Sequence, residues 1–100
     1  MSRRLIIRPD AYEDLAPAHD WYEAKQPGLG AEMSIAVLAK MQEAKLRPNS
    51  FPIRQNPDIR RVLVDRFPYV VYFRVRIDAV IVLAVFHTSQ DHGPRLGKRL

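Results

Sequence analysis

The stretch Tyr69-Val70-Val71-Tyr72-Phe73-Arg74-Val75-Arg76, followed by Ile77-Asp78 and then by Ala79-Val80-Ile81-Val82-Leu83-Ala84-Val85-Phe86, decides the fold. Both runs are β-branched and aromatic, and the pair of residues between them suits a hairpin turn. If Ile77-Asp78 is that turn, Arg76 faces Ala79, Arg74 faces Ile81, Tyr72 faces Leu83 and Val70 faces Val85. Alternation then gathers Tyr69, Val71, Phe73 and Val75 with Val80, Val82, Ala84 and Phe86 on one apolar face, which needs helices to cover it. The other face carries Val70, Tyr72, Arg74 and Arg76 against Ile81, Leu83, Val85 and His87, half apolar and half cationic. A slip of one residue would exchange the faces.

Upstream, Ile59 to Asp65 repeats the two-residue period, and Arg66-Phe67-Pro68 links it to Tyr69. The same turn logic sets Arg61 beside Tyr72 and brings Leu63 onto the same face. Residues 47–58 contain three prolines and read as an ordered loop. Before them the period is helical. Tyr12, Leu15, His19 and Tyr22 recur at three and four residues, with Ala11, Ala18 and Trp21 beside them, and Asp10 suits the N-cap. Pro17 should kink or divide this helix. Gln26-Pro27-Gly28 ends it, and a second helix follows whose stripe is Met33, Val37, Met41 and Ala44, widened by Ile35 and Leu38. Leu5-Ile6-Ile7, closed by Pro9, reads as a first strand whose place in the sheet stays open. The order is β-α-α-β-β-β, an α+β fold with a helical hairpin on one face of a small antiparallel sheet.

The chain has 100 residues and no cysteine, enough for one domain, expected over 1–100 with short mobile tails at 1–3 and about 93–100. Disulfide frameworks, thiolate nucleophiles and cysteine-ligated zinc are excluded. The longest apolar run, Ala79 to Phe86, is a strand and is too short to span a bilayer. No membrane association is expected, and the basic N-terminus lacks the apolar stretch of a signal peptide, so a cytoplasmic location is expected. Residues 1–50 hold seven Lys/Arg and seven Asp/Glu, whereas residues 51–100 hold nine and four, so the whole net charge of +5 lies in the second half. Such a domain attracts phosphate backbones and acidic proteins alike.

No phosphate loop, metal-ligand cluster or nucleophile turn is present, and no cofactor or metal is implied. What stands out is a set of cations and hydroxyls around one sheet face: Arg60, Arg61, Arg66, Tyr72, Arg74, Arg76, His87, Thr88 and Ser89. RNA cleavage through the 2′-hydroxyl needs a proton acceptor, a proton donor and positive charge on the phosphorane, and His, Tyr and Arg can supply them. His87 nevertheless lies four residues along the strand from the position facing Tyr72, roughly 13 Å away. The plainer readings are that Arg74 and Arg76 are solubilising charges, Tyr72 packs, His87 makes a local hydrogen bond, with Asp91 as a candidate partner, and Lys98 and Arg99 are solvated terminal charges.

Three segments together resemble the RelE/ParE superfamily of type II toxins: Trp21-Tyr22-Glu23 with Pro27-Gly28-Leu29-Gly30, the Phe51-Pro52 loop, and Arg66-Phe67-Pro68-Tyr69-Val70-Val71-Tyr72 leading to Val82-Leu83-Ala84-Val85-Phe86-His87 and Asp91. The resemblance covers residues 4 to 91 and implies two helices over a small sheet and a cognate antitoxin that wraps the toxin in a hetero-oligomer. RelE-like members are ribosome-dependent mRNA endonucleases, and ParE-like members act on DNA gyrase. Phe67-Pro68-Tyr69 and the ending His87-Thr88-Ser89-Gln90-Asp91 look ParE-like, although Gln90 stands where an Arg is usual. The chain also departs from the nuclease pattern, with no Lys between Lys45 and Lys98 and no Tyr after Tyr72.

The resemblance implies a plasmid-stabilization type of toxin, with gyrase engaged through Arg60, Arg61, Arg66, Arg74, Arg76 and His87. An acidic, amphipathic antitoxin segment is expected on Arg61, Val70, Tyr72, Leu83 and Val85. The alternatives are a ribosome-dependent mRNA endonuclease using Arg61, Arg74 and His87, and a non-toxic module that only binds antitoxin.

Overall fold

The computed structural model describes residues 3–55 and 57–100; Met1 and Ser2, in the expected N-terminal tail, lie outside them. In chain order the elements are β1 Arg4–Ile7, α1 Pro9–Lys25, α2 Leu29–Leu46, a 3-10 turn at Pro48–Ser50, β2 Ile53–Gln55, β3 Ile59–Leu63, β4 Tyr69–Val75, β5 Ala79–His87 and α3 His92–Gly97. The strands form one sheet in the order β1-β5-β4-β3-β2, antiparallel except for β1, which lies parallel to β5. The expected meander is therefore β3-β4-β5. Residues 47–58 are more than a loop, because they supply the 3-10 turn and the edge strand β2.

Pro9 at the first helical position starts α1, with extended Arg8 as N-cap in place of the expected Asp10. Asp10 sits instead in the first turn, where its carboxylate favours the positive end of the helix. Pro17 does not divide the helix. The face turned to the core is Ala11, Leu15, Ala18 and Tyr22, at spacings of four, three and four; Tyr12 and Trp21 are exposed. On α2 the stripe Met33, Val37, Met41 and Ala44 is buried as expected. Ile35 and Leu38 do not widen it and stand out in solvent, since about 100° per residue carries them off the packed face.

The hairpin between the helices rests on two glycines. Gly28 takes φ 89°, a left-handed value that suits glycine, and the Gly28 and Gly30 N–H groups donate to the Glu23 carboxylate at 2.8 and 3.0 Å. These two bonds hold the Glu23 carboxyl below its usual range. A Cβ on Gly30 would meet the His19 carbonyl oxygen at 2.7 Å, so the helices touch backbone to backbone there. Gly30→Ala is expected to lower the unfolding free energy by about 1–3 kcal/mol. Gly97→Ala, with open space around it, should change it by less than about 0.5 kcal/mol, and urea titration reads both.

Register separates the two faces. β3 pairs with β4 as expected, Arg61 opposite Tyr72 and Leu63 opposite Val70. β4 pairs with β5 as expected from Val75–Val80 to Phe73–Val82; then a bulge intervenes and Tyr72 faces Ala84, Val70 faces Phe86 and Tyr69 faces His87. The extra residue, Leu83, exchanges the faces beyond it. Val85 joins Val71, Phe73, Val80 and Val82 under the helices, while Ala84 and Phe86 join Val70, Tyr72 and Leu83 on the opposite side.

That opposite side is a second core. Ile59, Val70, Tyr72, Leu83, Ala84 and Phe86 pack with Leu96 of α3, which is fully buried. The expected tail at about 93–100 is thus packed in part against the sheet. Val70, Tyr72, Leu83 and Val85, expected as an open docking surface, are each no more than 4% exposed.

Candidate functional site

Most of the expected target-binding arginines are engaged within the chain. Arg74 Nε and Arg76 Nη1 donate to the two oxygens of Asp58, each at 2.9 Å. Arg60 Nη1 donates to the Phe51 carbonyl at 2.6 Å, and Arg66 reaches Glu32 on α2 at 3.3 Å. Arg60 lies opposite Phe73, on the helix side, whereas Arg61 lies opposite Tyr72, on the α3 side. The cations expected on one face therefore divide between two. Arg61, Arg74 and Arg76 stay near one another in register, and Arg60 and Arg66 turn away. Sequence patterning could not show this, because Asp58 and Glu32 come from a loop and a helix far from the arginines in the chain.

The Arg76 hydrogen bond, seconded by Arg74, holds the Asp58 carboxyl below its ordinary value despite some desolvation. A depressed folded-state pKa means that this ion pair stabilises the fold fully above the unfolded-state value and is lost as pH falls through the folded one. Asp58→Asn should accordingly lower the urea midpoint at neutral pH. The difference from wild type should shrink as pH falls through the depressed folded-state value, where the wild-type carboxyl takes up its proton and loses its charge.

His87 is separated from Arg61 and Arg74. Its ring packs edge-to-face on Tyr69 at 5.2 Å, Ser89 N–H donates to its Nδ1 at 3.0 Å, and its backbone N–H donates to Gln90 Oε1 at 2.7 Å. Ser89 and Gln90 thus take the place of the expected Asp91 partner. The trio Arg61, Arg74 and His87 forms no single phosphate site.

A residue the sequence did not point to, His92, stands against Tyr72. Its Nε2–H donates to the His87 carbonyl at 2.8 Å, so Nδ1 is free to accept the Tyr72 hydroxyl at 2.5 Å. Tyr72 is only 4% exposed, and a hydroxyl so covered ties β4 to the start of α3 and does not meet a substrate. His92 was hidden among Gly93 and Pro94, although Pro in a first turn is itself a helix-start signal.

Arg99, expected as a solvated charge, closes the second core. Its guanidinium grips Asp14 of α1 with both Nη atoms, at 2.5 and 2.8 Å. Asp14 Oδ2 also accepts the Val85 N–H at 2.9 Å, and Arg99 Nη1 donates to the Leu83 carbonyl at 3.2 Å. The reason lies in the sheet edge: β1 ends opposite Val82, and beyond it β5 is paired with β4 alone and has no strand on its β1 side among the described residues. The Asp14–Arg99 pair satisfies backbone groups there that a longer β1 would have taken. Hydrogen bonding to Asp14 raises the Arg99 pKa further.

Beside this pair lies a cavity of about 620 Å³, between α1, the start of β4, the end of β5 and α3. Trp21, Tyr22, Tyr69 and His87 wall it, with Glu13 and Arg95 on its lining. Burial raises the Tyr69 phenol above its usual pKa, so its hydroxyl stays a donor at neutral pH.

Comparison with known proteins fits this architecture. Residues 5–92 match the family model described as the ParE toxin of type II toxin-antitoxin system, parDE. No curated protein sequence matches. Among solved structures, one from the chromosomal ParDE TA system of P. aeruginosa superposes with a TM-score of 0.77 at 19% identity, over 88% of this chain and 98% of that one. A mutant of the E. coli toxin RelE in the free state gives 0.70 at 16% identity, over 99% and 95%. At such identities the two structures establish the shared fold, and the family match, which runs from β1 to the first residue of α3, establishes the lineage. The chain belongs to the ParE toxin family of type II toxin–antitoxin systems.

Proposed function

We propose that this toxin arrests growth by acting on DNA gyrase and is held inactive by a cognate antitoxin. The observation that carries the reading is the dispersal of the nuclease candidates: Arg74 is bound to Asp58, His87 packs on Tyr69 away from Arg61, and Tyr72 is sealed under α3. Cleavage of RNA needs these groups converging on one phosphate. Engagement of a large protein target needs only surface charge and shape, and the excess of basic residues in the second half suits an acidic partner surface. The ParDE system among the structural relatives supports an antitoxin partner. Of the expected antitoxin contacts, Arg61 keeps its place beside exposed Leu63 on the same face of β3, while the buried ones are unavailable in this conformation. No helix among the described residues is long and apolar enough to cross a membrane. The reading places the protein in the cytoplasm, with its target.

Induction of the chain alone, and together with the adjacent reading frame, tests this. The expected result is growth arrest reversed by the second frame, relaxed plasmid DNA and intact mRNA. Codon-phased mRNA 5′ ends that vanish on His87→Ala would favour the endonuclease instead. Unimpaired growth with soluble protein present would favour a non-toxic binding module.

A further inference from the structure

We propose that the outward face of α2 is the seam of a two-fold dimer of this chain, in which the α2 helices of two copies pack antiparallel. The helix has two stripes. Met33, Val37, Met41 and Ala44 are buried, and on the side turned away from them Ala31, Ile35, Leu38, Gln42 and Leu46 are all exposed. Spacings of four, three, four and four keep these five residues on one side of the helix. Ile35, Leu38 and Leu46 are 67, 45 and 74% exposed, and no other element among the described residues leaves three large apolar side chains in water. Apolar residues scattered singly over a surface call for no partner, but a stripe running the length of an 18-residue helix, about 27 Å, does.

The stripe is self-complementary in one direction only. With the two-fold axis between positions 38 and 39, Ala31 of one copy meets Leu46 of the other, Ile35 meets Gln42 and Leu38 meets Ala39, and symmetry repeats each pair. Two of these pairs set a large side chain against alanine, which lets the helix axes approach to about 8–10 Å. The methylenes of Gln42 cover Ile35 and leave the amide at the rim. Charge points the same way. Residues 29–38 hold one ionised side chain, Glu32, whereas residues 39–47 hold Lys40, Lys45 and Arg47 against Glu43. Among the described residues, Arg66 binds only Oε1 of Glu32 and leaves Oε2 free of hydrogen bonds, and Lys45 has no carboxylate within ion-pair distance. Antiparallel packing brings the acidic half of each helix to the basic half of the other and opposes their dipoles. Parallel packing would set Glu32 beside Glu32 and Leu46 beside Leu46. One helix pair buries less than about 1,200 Å², so the dimer should be a weak one, with a micromolar dissociation constant. The cavity beside α1 takes no residue from α2, and α3 covers the opposite side of the sheet, so dimerisation leaves both open. The inference is independent of which enzyme the toxin acts on.

Sedimentation equilibrium of the purified full chain should show a mass rising from 11.6 kDa toward twice that value between about 1 and 500 μM. Leu38→Glu should keep the circular dichroism and urea midpoint of wild type, because the position is exposed, and weaken association at least about tenfold by placing a charge in the seam. Ile77→Glu, in the β4–β5 turn and as exposed as Leu38 or more, should leave association unchanged. Because the chain has no cysteine, introduced thiols report the direction of packing. An oxidised mixture of Ala31→Cys and Leu46→Cys should yield the mixed disulfide dimer, with little of either variant linked to itself. A monomer throughout the range, a dimer that survives Leu38→Glu, or Ala31→Cys linked chiefly to itself would overturn the proposal. So would binding of wild type but not of Leu38→Glu to phosphatidylglycerol vesicles, which would assign the stripe to a lipid surface.

Discussion

Leu96→Ala should lower the free energy of unfolding by about 2–5 kcal/mol, a core-sized loss from a residue four places from the C-terminus. Leu96 is fully buried, and its neighbours Phe86, Leu83, Ala84, Val70 and Ile59 belong to the strands and their flanks, whose positions the meander fixes. They cannot collapse far into the space a leucine leaves. The helix that carries it has six residues, too short to be helical on its own, so most of what holds it in place is this side chain and the bonds at its two ends. Removing the side chain should therefore expose Tyr72, Val70 and Leu83 as well as leave a hole. A urea titration followed by far-UV circular dichroism measures the loss, and dye binding to newly exposed apolar surface should rise with it. A variant as stable as wild type would mean that the C-terminal residues are the loose tail their sequence suggests.

The second large effect is expected at the pair that closes the other end of α3. Arg99→Ala leaves the Asp14 carboxylate, only 13% exposed, without its bidentate partner and leaves the Leu83 carbonyl without its donor. Asp14→Ala strands the Arg99 guanidinium, 18% exposed, and the Val85 N–H. Breaking one side of a buried pair is worth 3–5 kcal/mol, and the residual solvent here reduces the expected loss to about 2–4 kcal/mol for either variant. The double variant should lose less than the sum of the two, with a coupling of about 1–3 kcal/mol in a double-mutant cycle. Additive losses would show that the two groups do not act as a unit.

The sequence makes the centre of the fold legible and its margins obscure, for physical reasons. Three alternating runs joined by short turns leave little freedom, which is why Arg61 could be set opposite Tyr72 and Phe73 opposite Val82. The bulge escaped because Val80 to Phe86 is apolar at every position, and such a run does not say where alternation breaks. The side-by-side pairing of β1 with β5 joins residues more than seventy apart, beyond any local signal. The second core was invisible because one buried leucine among Gly93, Pro94, Gly97 and three cations looks like a tail.

The site is obscured in the sequence for the same physical reasons. Alternation along the strands alone leaves a cationic and apolar face open, because nothing local in the strand sequences shows that Asp58, Glu32 and α3 cover it. Four apolar residues assigned to antitoxin proved to be core, and the arginines proved to be partly spent on internal partners. What the sequence did reveal is the separation of His87 from the arginine cluster, which counting residues along the strand already implied.

The most direct test of the account is a supercoiling assay with purified toxin, gyrase and relaxed plasmid. The account predicts that toxin suppresses supercoiling or traps cleaved DNA in proportion to its concentration, and that purified antitoxin restores the supercoiled product. Full supercoiling at saturating toxin would contradict it.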